Sequence, residues 1–352
     1  MYRPWWRRRW LWIVLGTPLL IWLLSVTVWT WWAEEHPAQE RELRIQLHQL
    51  LQERFPEQMR LPDHRIGFVP HGDEGSAERH PDVILIHGLD EPGDIWSDLI
   101  PMLREAGIEP WEFRYPNDQA IDRSVDLLAE RWSELPGDDP VVLVGHSMGG
   151  LVIRDFVTRL RHPLDASPGV EGSPVQGAIL IGTPNHGSEL ARLRVWLGLR
   201  EFVVQAQEED FSLFSPLRSG TGAAKIDLRP GSRFLTDLNQ RPWPEAIPVR
   251  VIGGMLGQPD SEMIEAVETI SSDLGEDQLP RTFESWWREI GEGLGDGAVP
   301  VSSLSLPEAP PPTLVPASHR GMLLRASPED ETPPAIPHVL TMLEEWEQGE
   351  GR

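Results

Sequence analysis

Between residues 80 and 346, short and mostly apolar segments alternate with segments whose apolar positions recur every three or four residues. The first kind predicts strands buried on both faces, and the second predicts helices. This alternation predicts an α/β fold with a mostly parallel sheet and helices on both faces. Strands are predicted at 82–88, 111–115, 141–144, 176–183, 247–253 and 313–316, and helices at 95–105, 119–134, 148–160 and 336–346.

Two long segments, 187–248 and 254–295, interrupt the alternation. The first contains the apolar residues Leu193, Trp196, Leu197, Leu199, Phe202 and Val203. Insertions of this length are often functional loops or lids, and the alternative is a set of ordinary surface helices. Residues 307–312 are rich in proline and predict a stiff spacer.

The N-terminal region has the pattern of a membrane anchor. Residues 1–9 carry four arginines, and residues 10–32 carry no charge. As a helix, this uncharged segment is about 33 Å long, the thickness of a bilayer core. Eight of the sixteen tryptophans lie before residue 33, most of them near the two ends of the segment. The sequence therefore predicts a single-pass transmembrane helix, with a cytoplasmic N-terminus and an extracytoplasmic body.

A cleaved signal peptide and a buried core helix are the alternatives for this region. A signal peptide would place small residues at its cleavage site, where Trp31 and Trp32 stand. The following 33–62 is predicted as a juxtamembrane helix and linker, since Leu43, Leu47, Leu50 and Leu51 form a narrow apolar stripe. Either a stalk or a helix packed on the body would fit it. The globular domain is predicted at 63–348.

Composition excludes several classes of function. The formal net charge is -24, and removal of the four arginines near the N-terminus leaves -28 for the body. Nucleic acid is not expected as a partner, because the chain lacks a basic face and contains a single lysine, Lys225. With no cysteine there is no disulfide and no thiolate nucleophile. The sequence nominates no cofactor and no metal site, and it leaves the oligomeric state open.

The most informative motif is Gly-His-Ser-Met-Gly at 145–149, which follows a β-branched strand and opens a helix. This strand, turn and helix are the context of a nucleophile elbow, in which a serine occupies a strained backbone conformation. Side chains at Gly145 and Gly149 would collide in so tight a turn. The motif predicts that Ser147 is a nucleophile, and a structural glycine-rich turn is the alternative.

A serine hydroxyl needs a base, and the base needs a carboxylate that orients it. In a hydrolase of this layout both follow the serine, carboxylate first. Asp296 lies between two glycines at a turn and is the best candidate, whereas a plain Asp-Gly turn is the alternative. The other aspartates considered, Asp260, Asp273 and Asp277, lie in acidic segments predicted to be solvated.

The predicted base is His319, which lies 23 residues after Asp296 in the loop before the last helix. His338 falls inside that helix and is predicted to be structural. His162 lies just past the helix that follows the elbow, and His186 lies in the loop after the next strand.

Two backbone amides would stabilise an oxyanion in front of the serine. One belongs to Met148, the residue after the nucleophile. The other is expected from the turn after the strand that ends in His87 and Gly88, which nominates Leu89. His87 and His146 are interpreted as packing or hydrogen-bonding residues around this site.

These motifs resemble the α/β-hydrolase superfamily, and specifically its triacylglycerol-lipase and GPI-inositol-deacylase-like branch. The resemblance implies a catalytic triad of Ser147, Asp296 and His319, with Leu89 and Met148 as the oxyanion hole. It also implies that part of 188–246 forms a cap or lid over an acyl pocket. The matching segments are 86–89, 145–150, 181–188, 296–300 and 319–323.

The sequence thus predicts a serine carboxylic-ester hydrolase, a lipase or esterase acting on lipid or other acyl esters. A membrane-tethered acyltransferase would keep the same three residues and exclude water. A binding module on a hydrolase fold that has lost its activity is the alternative from another class.

Overall fold

The structure is a computed structural model. It describes residues 6–73, 75–89, 94–164, 166–189, 215–256, 271, 293–327 and 329–349.

A single seven-stranded sheet is described, with the order β1-β3-β2-β4-β5-β6-β7. Strand β1 runs antiparallel to β3, and the other neighbouring pairs are parallel. The mostly parallel sheet predicted from the apolar segments is confirmed. The strands are β1 (Gly67–Pro70), β2 (Val83–Ile86), β3 (Pro110–Arg114), β4 (Val141–His146), β5 (Val175–Ile181), β6 (Val249–Gly254) and β7 (Thr313–Val315).

Helices cover both faces of the sheet, as predicted. The described helices are α1 (Trp6–Glu35), α2 (Pro37–Arg54), α3 (Pro56–Met59), α4 (Leu99–Glu105), α5 (Ile121–Arg131), α6 (Met148–Asp155), α7 (Ser215–Arg218), α8 (Ala223–Asp227), α9 (Arg233–Asn239) and α10 (Ala335–Glu347). Helix α6 continues as a π-helix, Phe156–Arg161. Short 3-10 turns lie at Asp63–Arg65, Ser76–Glu78, Asp94–Trp96, Trp132–Glu134 and Val301–Ser303.

Alternate residues of the central strands point into two separate apolar layers. On β2, Ile84 and Ile86 pack with α5 and α6, whereas Val83 and Leu85 pack with α4 and α10. This two-sided burial is why β2 is apolar at every position. Because β2, β4 and β5 are parallel neighbours, their carboxyl ends lie together at one end of the sheet.

The N-terminal region is helical, with α1 extending from Trp6 to Glu35. Within the part of the chain that the structure describes, no helix combines the length and the apolar character that a bilayer crossing requires. The predicted transmembrane helix at 10–32 is therefore not confirmed.

Helix α2 contacts the domain, as the alternative of a packed helix expects. The contact uses its charged face: Arg41 Nε donates to Asp227 Oδ1 at 2.6 Å, and Arg41 also pairs with Asp122 at 2.9 Å. The hydroxyl of Thr221 donates to the carbonyl of Arg44 at 2.6 Å. The leucine stripe points the other way, and Leu43, Leu47 and Leu50 are about half exposed. Ion pairs of Arg41, including one with the buried Asp227, thus link this helix to the domain.

The predicted cap at 188–246 is described in its second half. Helices α7, α8 and α9 lie there, and Leu235, Leu238 and Trp243 belong to the main apolar core. The bulk of the segment with the apolar residues expected of a lid, 190–214, lies outside the described residues, so the lid stays a prediction. Of the second insertion, 257–270 and 272–292 also lie outside them.

His162, considered as a base, instead links the end of the π-helix to the first residue of β5. The backbone N–H of Val175 donates to His162 Nε2 at 3.2 Å, which requires a neutral ring nitrogen. Burial, assisted by the positive charge of Arg161, lowers the pKa of His162 to about 4. Since this lies below the ordinary pKa of about 6.5, the neutral ring stabilises the fold above pH 6.5. That stabilisation is lost as the pH falls through about 4.

We therefore expect His162→Gln to weaken the acid sensitivity of the fold, because glutamine keeps an acceptor and does not titrate. Between about pH 7.5 and pH 5, the free energy of unfolding should fall about 1 kcal/mol more in the wild type than in the variant, since the partial exposure of His162 screens the effect. Urea unfolding at both pH values measures this difference. His338→Gln, at an exposed position of α10, is the matched control. If the free energy of unfolding falls equally in His162→Gln and in the wild type, His162 is not a source of this acid sensitivity.

Candidate active site

Ser147 occupies the sharp turn between β4 and α6 that the elbow motif predicts. Its φ of 54° is positive, and no other non-glycine residue among those described has a positive φ. The backbone N–H of Ser147 donates to the carbonyl of Ile181 at 2.8 Å, which ties the turn to the end of β5. A Cβ on Gly149 would collide with the carbonyl of Ile86, and one on Gly145 would lie 2.7 Å from the amide nitrogen of Gly150. Close packing therefore explains both glycines.

Asp296 and His319 are joined directly. Nδ1 of His319 donates to Oδ2 of Asp296 at 2.7 Å, and the backbone N–H of His319 donates to the Asp296 carbonyl at 2.9 Å. The other carboxylate oxygen, Oδ1, accepts from the amides of Ala298 at 2.8 Å and Val299 at 2.7 Å. Because a carboxylate only accepts, the proton of the neutral imidazole is on Nδ1, and Nε2 is left as the basic nitrogen.

The imidazole of His319 lies beside the elbow. A Cβ placed on Gly182 would be 3.2 Å from Nδ1 and Cε1 of His319. Gly182 directly follows Ile181, whose carbonyl accepts the hydrogen bond from the N–H of Ser147. The ring of His146, the residue before Ser147, lies 4.6 Å from the ring of His319 between centroids. Segments separated by more than a hundred residues thus converge at the carboxyl ends of β4 and β5. The three residues are also largely buried, at 8% exposure for Ser147, 2% for Asp296 and 9% for His319.

Leu89 lies in the turn after β2, next to the elbow. Residue Ile86 of β2 pairs with Gly145 of β4, so the turn and the elbow leave the sheet side by side. The carbonyl of Gly88 accepts from Nδ1 of His87 at 3.0 Å and from Nδ2 of Asn117 at 3.3 Å. Since the carbonyl and N–H of a trans peptide point in opposite directions, the N–H of Leu89 points away from those donors.

The carbonyl of His87, in the same turn, also accepts a hydrogen bond. The hydroxyl of Tyr115 donates to the carbonyl of His87 at 2.5 Å, and its ring stacks on the His87 ring at 4.5 Å. Met148, the other predicted oxyanion donor, is the fully buried first residue of α6. The structure therefore brings the helix start and the β2 turn to one place.

A buried polar cluster links the elbow helix to the loop that carries Asp296. Arg154 of α6 donates to Oδ1 of Asn185 at 3.1 Å and to Oδ1 of Asn239 at 2.9 Å. Asn185 in turn donates to the carbonyl of Leu304 at 2.8 Å. Burial lowers the pKa of Arg154 to about 10. The guanidinium stays charged at neutral pH, and the cluster fixes the loop after β5 against the segment following Asp296.

Sequence reasoning missed the roles of Tyr115, Asn117, Arg154 and Asn185. The positions of Tyr115 and Asn117 could have indicated a role in the site, because both residues follow the carboxyl end of β3, at the end of the sheet where the elbow lies. Arg154 had no such signal, since it lies within a helix whose apolar residues dominate the pattern.

The alternative candidates do not join the site where they are described. His186 and His338 are exposed, and His162 lies beyond the π-helix at the start of β5. The alternative aspartates, Asp260, Asp273 and Asp277, lie outside the described residues.

Comparison with known proteins identifies the family. The sequence profile of the Alpha/beta hydrolase family matches residues 83–340, more than half of the chain. The chain belongs to the alpha/beta hydrolase family. This agrees with the predicted superfamily, whereas the narrower resemblance to the triacylglycerol-lipase and GPI-inositol-deacylase-like branch is not confirmed.

Two curated relatives of this family member are similar over short segments. Protein SERAC1 of Homo sapiens is 33% identical over 103 residues, which are 28% of this chain and 15% of the relative. Lipase LipV of Mycobacterium tuberculosis is 35% identical over 92 residues, which are 23% of this chain and 32% of the relative. The chain therefore spans less than a third of the length of either relative.

The solved structures to which this chain is similar include two lipases. The mature Bacillus licheniformis lipase BlEst2 is 17% identical, with a TM-score of 0.48, covering 78% of this chain and 97% of that one. The Staphylococcus hyicus lipase is 15% identical, with the same TM-score of 0.48, covering 77% of this chain and 97% of that one.

Proposed function

We propose that this protein is a serine carboxylic-ester hydrolase that acts through an acyl-enzyme. The observation that carries the proposal is the pairing of His319 with Asp296 at 2.7 Å beside a serine held at φ 54°. A serine in this conformation presents its hydroxyl at the tip of the turn, next to a histidine whose tautomer is set for accepting a proton.

In the proposed reaction, Oγ of Ser147 attacks the ester carbonyl while Nε2 of His319 takes its proton. The carboxylate of Asp296 stabilises the resulting imidazolium. The negative charge that develops on the carbonyl oxygen is bound by the backbone N–H groups of Met148 and Leu89, with the positive end of α6 behind the first.

Collapse of this intermediate breaks the bond to the alcohol, which leaves with the proton from His319. Water then attacks the acyl-enzyme with His319 as base, and the acid is released. Transfer of the acyl group to an alcohol other than water would instead make the protein an acyltransferase, so the nature of the acceptor decides between the two.

The proposed substrate class is a lipid ester or another apolar acyl ester. Its support comes from the sequence: a segment with five leucines and three phenylalanines, 189–214, lies in the first insertion. Lipase LipV is a lipase by name, and its similarity to part of this chain is in keeping with an ester.

A fluorophosphonate probe tests the proposal directly, because it phosphonylates a serine that an adjacent base activates. With the full-length protein we expect one adduct per chain, on the peptide that contains Ser147, located by mass spectrometry. Heat-denatured protein and the Ser147→Ala variant should not be labelled. Labelling that persists in Ser147→Ala, or none in the folded wild type, would reject a serine mechanism at this site.

A further inference from the structure

His146, inside the elbow motif, contacts both the backbone and the ring of the predicted base. Its ring is fully buried, and Nε2 lies 3.0 Å from the backbone carbonyl oxygen of His319. A carbonyl oxygen only accepts hydrogen bonds, so Nε2 of His146 carries a proton and donates it. The two rings lie 4.6 Å apart at an angle of 44°, and the edge of Trp96 packs on His146 at 6.5 Å.

We propose that His146 is a positioning residue for the base of this reaction. The proposal rests on the proposed serine mechanism. His146 acts by holding the backbone of His319 in place. Because it directly precedes Ser147, it connects the position of the base to that of the nucleophile through a single side chain.

Asp296 and His146 both form hydrogen bonds with His319. Asp296 binds the backbone N–H at 2.9 Å and Nδ1 at 2.7 Å, and His146 binds the backbone carbonyl at 3.0 Å. The segment around His319 is a turn without regular secondary structure, and the N–H of Met322 closes it by donating to the carbonyl of Ser318 at 3.1 Å. Asp296 and His146 contact this turn at His319 itself, so loss of the His146 contact should let the turn shift and move Nε2 relative to Ser147. A displacement of about 1 Å in an oriented pair can cost about a hundredfold in rate.

The ring contact adds an electrostatic condition. During the reaction His319 becomes positively charged, and a second charge on a buried ring beside it would oppose that step. His146 therefore has to donate as a neutral imidazole, with its proton on Nε2. A residue that donates without titrating should be able to replace it.

Glutamine can donate a hydrogen bond without titrating, and leucine cannot donate one. The two substitutions at position 146 therefore form a matched pair of variants. In His146→Gln the side-chain amide can place an N–H near the position of Nε2, whereas His146→Leu fills the space without a donor. The assay uses full-length protein and a short p-nitrophenyl ester. In His146→Leu we expect kcat to fall about 10- to 100-fold, while KM stays within about threefold of the wild-type value. We expect kcat within about fivefold of wild type in His146→Gln. His338→Leu, at an exposed position of α10, controls for loss of a histidine.

A proton NMR measurement reports on the same contact without activity. The Nδ1–H of His319 in its bond to Asp296 should give a strongly low-field signal in wild type and in His146→Gln. We expect this signal to shift or broaden in His146→Leu. If His146→Leu does not fold, His146→Asn serves in its place, because its amide is too short to reach the His319 carbonyl.

The outcomes separate this inference from the proposed function. If Ser147→Ala keeps its activity, the serine mechanism itself is wrong. If Ser147→Ala is inactive while His146→Leu retains wild-type kcat and the low-field signal, only the role of His146 is rejected. A folded His146→Gln that is as slow as His146→Leu would also reject it, since the hydrogen-bond donor would then not be what matters.

Discussion

Replacement of Ser147 by alanine is expected to lower kcat for p-nitrophenyl esters by more than about a thousandfold. The methyl group fits the same turn, so the fold should persist, but no oxygen remains to attack the carbonyl. Residual turnover would come from the oxyanion donors acting on water, which accelerate hydrolysis without a nucleophile. Steady-state kinetics on the full-length protein, over a series of acyl chain lengths, measures the loss.

Ser305→Ala is the matched control, because Ser305 is exposed in the segment after Asp296 and bonds only a neighbouring carbonyl in the described structure. It should leave kcat unchanged. Thermal unfolding of Ser147→Ala should show a midpoint at or above that of the wild type. Hydrolysis at the wild-type rate by Ser147→Ala would remove the basis of the proposed mechanism.

Replacement of Asp296 by asparagine should lower kcat by about 10³- to 10⁴-fold. The hydrogen bonds of Asp296 give the physical reason for this loss of kcat. In the wild type Oδ1 accepts from the amides of Ala298 and Val299, and an asparagine must turn its own oxygen toward them. Its NH2 group then faces Nδ1 of His319, which has to become an acceptor. The imidazole proton moves to Nε2, and His319 can no longer take the proton of Ser147.

This tautomer reversal is measurable apart from the rate. Nitrogen-15 NMR of labelled histidine should show His319 protonated on Nδ1 in the wild type and on Nε2 in Asp296→Asn. Asp330→Asn, an exposed position, is the control and should change neither the rate nor the spectrum. A kcat within tenfold of wild type in Asp296→Asn would show that Asp296 does not orient the base.

Several parts of the fold could be predicted because local patterns determine them. The strands β2, β4 and β5 contain uninterrupted apolar segments at 83–86, 141–145 and 177–181, a pattern typical of strands buried on both faces. The elbow was equally readable, since Gly145 and Gly149 are needed wherever backbone segments approach as closely as Ile86 approaches α6.

Strand β1 was not predicted, for a physical reason. Gly67–Pro70 is short, half-buried and at the edge of the sheet, so it lacks both a long apolar segment and a clear alternation. Its pairing with β3 comes from the tertiary structure. The N-terminal region shows the reverse case: its tryptophans and arginines predicted a membrane span, which the described residues do not confirm.

By itself, the sequence determined six of the seven strands, the helices that alternate with them, the elbow and the order in which serine, aspartate and histidine occur. Those features depend on local backbone geometry and on the periodicity of burial, and both are encoded in neighbouring residues. Only the tertiary structure decided that Asp296 holds Nδ1 of His319, that His146 holds its carbonyl, and that α2 packs through its charged face. Such contacts join residues that lie far apart in the chain, and their geometry depends on how the strand ends converge.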